Sequence, residues 1–240
     1  MKNPDIIIIL REKYTYQTMV STQEIIDVLK SIFPDLSSST ISWRINQLKK
    51  EQLIHQVGRG WYSFEFKPEF TPQISLKTKR TYNRIKPLCS STISVWDTLM
   101  LDDIIDTQSD KHWMFFAVPK DELESLFQQM LDFSKQVFLS PDREIINRYM
   151  IPLKEAIVLT PLVSENPLIE GSDYITPTIE GILVNAWINA SIMLEPIGYD
   201  IIKLFKCAFS NFNINRSRLL RYAARRDQRS QIEALINSND

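Results

Sequence analysis

Between Val20 and Phe64 the chain runs VSTQEIIDVLKSIFPDLSSSTISWRINQLKKEQLIHQVGRGWYSF, an order that few folds accept. Ser21 followed by Glu24 has the spacing of a capping box, in which side chains at both positions satisfy free backbone N–H groups. Ile25, Ile26, Leu29 and Phe33 then recur at helical spacing, and Pro34 stops the helix. Ser37 or Ser38 caps a second helix that runs to about Lys50, with Ile41, Ile45 and Leu48 as its inward stripe. Leu53–Val57 and Trp61–Phe64 are β-prone runs on either side of Gly58-Arg59-Gly60, which predicts a hairpin. Upstream, Ile6, Ile7, Ile9 and Leu10 pack one side of a first helix, and Thr15–Met19 interrupts the pattern. Helix, helix and hairpin in that order are the layout of a winged helix-turn-helix. Such a layout sets a polar helix where it can enter a DNA major groove.

The outer side of the second helix carries Ser39, Ser42, Trp43, Asn46, Gln47 and Lys50, flanked by Thr40 and Arg44. Short hydroxyls near a helix N-terminus allow close approach to phosphates and base edges. Arg and Gln can form paired hydrogen bonds with guanine and adenine edges. Lys49 and Lys50 stand where phosphate contacts are expected, and Arg59 at the hairpin tip can reach an adjacent groove or the backbone. Trp43 either joins this surface or packs against the hairpin. Polar helix faces are also commonly just solvated, and many winged helices bind proteins rather than DNA.

Charge agrees with a polyanionic partner. Positions 1–90 hold 14 basic against 8 acidic residues, and positions 91–240 hold 14 against 21, a split concealed in the overall net charge of −1. An apolar content of 44% supports real cores, and five glycines exclude a fibrous or low-complexity chain. No stretch approaches the roughly 18–20 apolar residues of a membrane-spanning helix. Ile6–Leu10 is too short for a signal peptide and follows an acid. Cys89 and Cys207 form no disulfide framework or metal motif, so a cytoplasmic protein with two reduced thiols is expected.

Lys67–Ser75 has two prolines and no periodicity, which marks a linker between a first domain, 1–67, and a second, 76–240. Past it comes a basic helix, Leu76–Leu88. Strands are expected at Thr92–Asp97, His112–Val118, Gln136–Leu139 and Glu155–Leu162. Helices are expected at Leu99–Asp106, Pro119–Phe133 and Asp142–Met150. Alternating strands and helices argue for an α/β layer. The last third is helical: Thr178–Ala190, Tyr199–Phe209, then Ser217–Ala224 and Gln231–Ile236 on a helix broken around Arg225–Gln228. The fold class is therefore α+β, an N-terminal winged helix-turn-helix followed by an α/β domain with a helical C-terminal part.

Catalytic motifs are missing from the sequence. It has no P-loop, no GxGxxG after a strand, no GxSxG and no HExxH. His55 and His112 sit in no metal-ligand pattern. Asp97, Asp102, Asp103 and Glu155 beside Lys154 come nearest to a metal-dependent nuclease, but not in the acid-x-Lys order such a site uses. No cofactor, no metal and no enzymatic activity are expected. A nucleic-acid-processing enzyme is the least favoured alternative.

The assembled order resembles the AbiEi-type antitoxins of bacterial type IV toxin–antitoxin systems, particularly a related bacterial branch. The resemblance rests on Ser39–Trp43-Arg44 through Gly58-Arg59-Gly60-Trp61-Tyr62, Ser94-Val95-Trp96 and Phe138-Leu139-Ser140-Pro141-Asp142. It continues with Pro161-Leu162-Val163-Ser164-Glu165, Pro177-Thr178-Ile179-Glu180 with Leu183-Val184, and Leu219-Leu220-Arg221-Tyr222-Ala223. Asp227 stands where that pattern leads one to expect a glycine. The resemblance implies an autoregulating, non-enzymatic regulator. Its N-terminal domain would bind double-stranded operator DNA, and its second domain would counteract a cognate nucleotidyltransferase-like toxin. From residues and resemblance together, the expected DNA contacts are Ser38, Ser39, Thr40, Ser42, Trp43, Arg44, Gln47, Lys50 and Arg59. The expected partner contacts are Arg221, Arg225 and Arg226. No membrane partner is expected. A winged helix that binds protein without DNA is the main alternative.

Overall fold

The computed structural model describes residues 3–14, 17, 19–64, 67–107, 109–171 and 173–238 of an α+β protein. Its Cα positions group into two units, Met1–Glu69 with Phe212–Ser217, and Phe70–Asn211 with Arg218–Asp240. The division between Glu69 and Phe70 falls inside the proline-containing linker, and residues 212–217 return to the first unit instead of staying with 76–240. Of the expected break at Thr15–Met19, the residues Thr15, Tyr16 and Thr18 lie outside the described residues. Among the described residues no helix is long and apolar enough to cross a membrane.

In the first unit, α1 (Asn3–Lys13), β1 (Met19–Ser21), α2 (Thr22–Ile32) and α3 (Ser38–Lys50) precede the hairpin of β2 (His55–Gly58) and β3 (Trp61–Ser63). The capping box forms: Ser21 Oγ accepts the Glu24 N–H at 3.2 Å, and Glu24 accepts the Ser21 N–H at 2.7 Å. Ser37, not Ser38, caps α3, accepting the Thr40 N–H at 3.2 Å. Helix α3 ends with Gln52 in the left-handed region at φ 56°, and the Leu53 N–H returns to the Leu48 carbonyl. That closure is a Schellman turn, with glutamine in the position glycine usually fills. One core unites the three helices with the hairpin. Ile6 and Leu10 of α1, Ile25 and Leu29 of α2, and Ile41, Ile45 and Leu48 of α3 are buried together with Ile54 and Tyr62. A three-stranded antiparallel sheet in the order β1-β3-β2 completes the unit. The strand β1 was not foreseen. It is a strand through its pairing with β3 and not through a pattern of its own.

The second unit follows with α4 (Leu76–Ile85), β4 (Ser94–Asp97), α5 (Leu99–Ile105), β5 (His112–Val118), α6 (Lys120–Leu131), β6 (Val137–Leu139) and α7 (Arg143–Ile145). Then come β7 (Glu155–Pro161), β8 (Leu168–Glu170), β9 (Ile175–Pro177), α8 (Ile179–Asn189), α9 (Ile201–Asn211), α10 (Arg216–Arg225) and α11 (Arg229–Asn237). Six strands form one mixed sheet in the order β6-β7-β5-β4-β9-β8. Strands β6, β7 and β5 run parallel, β4 is antiparallel to β5, and β9 is parallel to β4.

Successive residues of a strand face opposite sides, so the sheet sorts its own residues into two layers. Val95, Met114, Phe116, Ile157 and Leu159 share a core with Tyr82 and Ile85 of α4 and with Leu123, Leu126 and Met130 of α6. Ser94, Trp96, Phe115, Ala117 and Thr160 face the other way, toward Asn185 and Asn189 of α8 and Tyr222 of α10. The helix at the end of the chain is broken where the sequence suggested. Asp227 adopts φ 56°, and the Gln228 N–H returns to the Ala223 carbonyl at 2.9 Å, a second Schellman closure. The aspartate thus occupies the left-handed position where glycine was expected. Strands β8 and β9, three residues each, had no counterpart in the sequence reading.

Candidate nucleic-acid interface

Helix α3 presents two distinct sides. Ile41, Ile45 and Leu48 are buried, whereas Ser38, Ser39, Ser42, Trp43, Asn46 and Lys50 are exposed. Positions 39, 42, 43, 46 and 50 follow one another at helical spacing, so they make a single continuous surface. Its N-terminal end is a hydroxyl cluster, with Ser37 Oγ lying 2.9 Å from both Ser39 Oγ and Thr40 Oγ1. Thr40 and Gln47 are half-buried at its margins. Trp43 is 57% exposed, so of its two sequence readings it belongs to the surface and not to the packing against the hairpin.

Arg44 departs from this group. Its guanidinium lies over the Phe33 ring at 4.4 Å from the centroid, and its buried Nε has no hydrogen-bond partner among the described residues. Stacked that way, Arg44 ties α3 to the end of α2. Lys49 is also occupied, donating to Gln56 Oε1 of β2 at 3.2 Å.

The hairpin tip is pinned to its surroundings. Gly60 has φ 76°, which a residue with a side chain rarely adopts, and its carbonyl accepts the Thr22 N–H at 2.7 Å and the Thr22 hydroxyl at 3.1 Å. The Arg59 N–H donates to Ser217 Oγ at 3.1 Å, and a Cβ on Gly58 would stand 3.3 Å from that same oxygen. The backbone of the turn is therefore fixed while the Arg59 residue is exposed. Trp61 on β3 is 48% exposed.

The C-terminal arginines are arranged differently. Arg221 pairs with Glu165 at 3.0 Å, Arg225 Nε donates to Ser164 Oγ at 2.7 Å, and Arg218 lies 3.4 Å from the buried Glu180. Arg226 lines a cavity against the sheet. Ser164 and Glu165 hold these arginines from a loop distant in sequence, and nothing in the helical periodicity of α10 pointed to them.

Among the described residues no group of three or more His, Cys, Asp or Glu side chains is placed to hold a metal ion. Asp97 is fully buried and accepts from the Ser75 N–H at 3.1 Å, from the Thr78 hydroxyl and from His112 Nε2 at 3.1 Å. Ser75 and Thr78 face that same ring nitrogen, at 3.3 and 3.1 Å. A nucleophile–histidine–acid relay needs its acid on the opposite ring nitrogen, so this cluster is not such a relay. Glu155 is ion-paired with Lys77. Asp102 accepts the Tyr199 hydroxyl at 2.8 Å, and burial raises its carboxyl above the usual range against that hydrogen bond. Burial and the neighbouring Glu122 push the Cys89 thiol up to about 11, so it stays protonated at neutral pH.

No curated protein matches the chain. A family model described as a family of unknown function matches residues 40–240, from within α3 across the hairpin and the whole mixed-sheet unit. Over that span the chain belongs to the family DUF6577.

Proposed function

We propose that the first unit is a winged helix-turn-helix that binds double-stranded DNA, and that the chain is a non-enzymatic transcriptional regulator acting on its own operator. The observation that carries this reading is the outward surface of α3, with Ser39, Ser42, Asn46 and Lys50 exposed on a helix whose other side is locked into the core. An α-helix fits the major groove, asparagine pairs with adenine edges, and hydroxyls at a helix N-terminus suit phosphate. Arg59, on a turn whose backbone is already fixed, reaches the sugar–phosphate backbone with little ordering cost. Arg44 supports this surface from behind and does not read bases itself, given its stacking on Phe33.

The test is fluorescence anisotropy with duplex DNA from immediately upstream of the gene, across a salt series. Binding that weakens steeply with salt, and more weakly favours unrelated duplexes, is the expected result. Absence of binding to every duplex at low salt removes the reading.

A second reading is favoured by a specific observation. Trp43 and Trp61 are both large, apolar and about half exposed, and tryptophan is a characteristic anchor of protein interfaces. In this reading the first unit docks a protein. The resemblance to antitoxins makes a nucleotidyltransferase-like toxin the first partner to try, with Arg221, Arg225 and Arg226 as contacts in the second unit. The exposed pair of Arg221 with Glu165 contributes little stability and can be exchanged for a partner's acid at small cost. A complex with the adjacent gene's product that is lost in Trp43→Ala, with no DNA binding in either form, decides for it.

A further inference from the structure

The layer of the mixed sheet that faces α8 and α10 lines a partly open cavity of about 270 Å³. Its floor is aromatic. Trp96 of β4 and Phe115 of β5 are cross-strand partners whose rings stack at 4.1 Å with 7° between their planes. Its walls are polar. Asn185 uses its side-chain oxygen to accept the Tyr222 hydroxyl at 2.9 Å, and Asn189 uses its nitrogen on the Asn185 carbonyl at 2.8 Å. Those bonds use one polar atom of each side chain, and among the described residues they leave the amide nitrogen of the first and the amide oxygen of the second to meet a guest. Arg226 supplies a cation at the same cavity.

Two further groups point to an occupant. Ser94 is 1% exposed and its Oγ has no hydrogen-bond partner among the described residues, and Asn166 Oδ1 is buried in the same unpaired condition. Both residues line the cavity. Buried polar atoms left unpaired are uncommon and costly, and a small molecule in the cavity they line is one way to complete their bonding.

We propose that this cavity binds a nucleobase-type heterocycle carrying one anionic group, the chemistry of a nucleoside monophosphate. A flat ring suits the aromatic floor. Donors and acceptors side by side on the wall suit the edge of a base. The guanidinium of Arg226 suits a phosphate. The volume lies just below the roughly 300–1,000 Å³ of ordinary small-molecule pockets, which limits the guest to a single mononucleotide and leaves no room for a dinucleotide.

The experiment is isothermal titration of the full chain with each of the four common ribonucleoside monophosphates, their unphosphorylated nucleosides and inorganic phosphate, at concentrations up to millimolar. Thermal unfolding is measured in parallel. At least one monophosphate is expected to bind saturably and to raise the unfolding temperature, with its nucleoside about tenfold weaker. Arg226→Gln removes that difference between nucleotide and nucleoside. Ser94→Ala has opposite effects on stability and binding: the unliganded protein unfolds at a higher temperature, because an unpaired hydroxyl is gone, while nucleotide affinity falls. Three results overturn the proposal: no binding by any nucleotide, equal binding by inorganic phosphate, or nucleotide affinity untouched by both substitutions.

Discussion

Helices α3 and α10 carry the same mark in the sequence, an apolar stripe backed by a row of polar or basic side chains. Their surroundings differ. On α3, Ser39, Ser42, Asn46 and Lys50 stand in solvent. On α10, Arg218, Arg221 and Arg225 are drawn onto Glu180, Glu165 and Ser164. A row of charges on a helix thus does not say whether the charges are available. That depends on which distant loop the fold brings alongside. Arg44 sharpens the contrast, since it sits on α3 by sequence yet is engaged like the arginines of α10, stacked on Phe33.

The largest expected effects test the availability of α3. Asn46→Ala should weaken binding to the preferred duplex by about 1–3 kcal/mol and relax the preference at one base pair. Lys50→Ala should weaken binding to all duplexes alike and lower the salt slope by about 0.9. Equal affinity for wild type and both variants would leave α3 a solvated surface and erase its difference from a generic polar helix. On the α10 side the largest effect belongs to Glu180. It is buried, accepts the Thr178 hydroxyl and pairs with Arg218. Glu180→Ala leaves that hydroxyl and the guanidinium without this acceptor, and should cost about 1–3 kcal/mol in urea denaturation. DNA binding by the folded fraction should stay as it was.

How much of this was legible in the sequence follows from the range of each interaction. The capping box at Ser21 and Glu24, the stop at Pro34 and the stripe Ile41, Ile45 and Leu48 are local, and all are present. Long strands such as His112–Val118 declare themselves by seven consecutive residues. Three-residue strands β1, β8 and β9 do not, because pairing partners rather than propensity make them strands. The exposed surface of α3 was legible because helical periodicity fixes what faces outward. The posture of Arg44 was not, since Phe33 lies outside the helix and no spacing rule links the two. The cavity over Trp96 and Phe115 was equally hidden, being assembled from strands, α8 and α10 that only the sheet order brings together.

Smaller effects refine the comparison. Arg44→Ala should lower stability by about 0.5–1 kcal/mol through the lost stacking on Phe33. Per folded molecule it should leave the base preference unchanged. A relaxed preference at one base pair would instead return Arg44 to the DNA-reading surface.

The smallest effect is expected at Arg221. Its ion pair with Glu165 is solvent-exposed on both sides, 66% and 51%, so water already solvates most of each charge. Coulomb attraction in that setting is nearly balanced by side-chain entropy and screened by salt. Arg221→Ala should therefore shift stability by no more than about 1 kcal/mol, and that shift should shrink further as salt is added. The readout is urea denaturation at low and high salt. A salt-insensitive loss well above that size would mean that Arg221 holds the Ser164–Glu165 loop as a structural clamp, which would take it out of consideration as a partner contact. A small, salt-sensitive loss keeps it available, and would show that the engaged arginines of α10 and the free surface of α3 differ by less free energy than their geometry suggests.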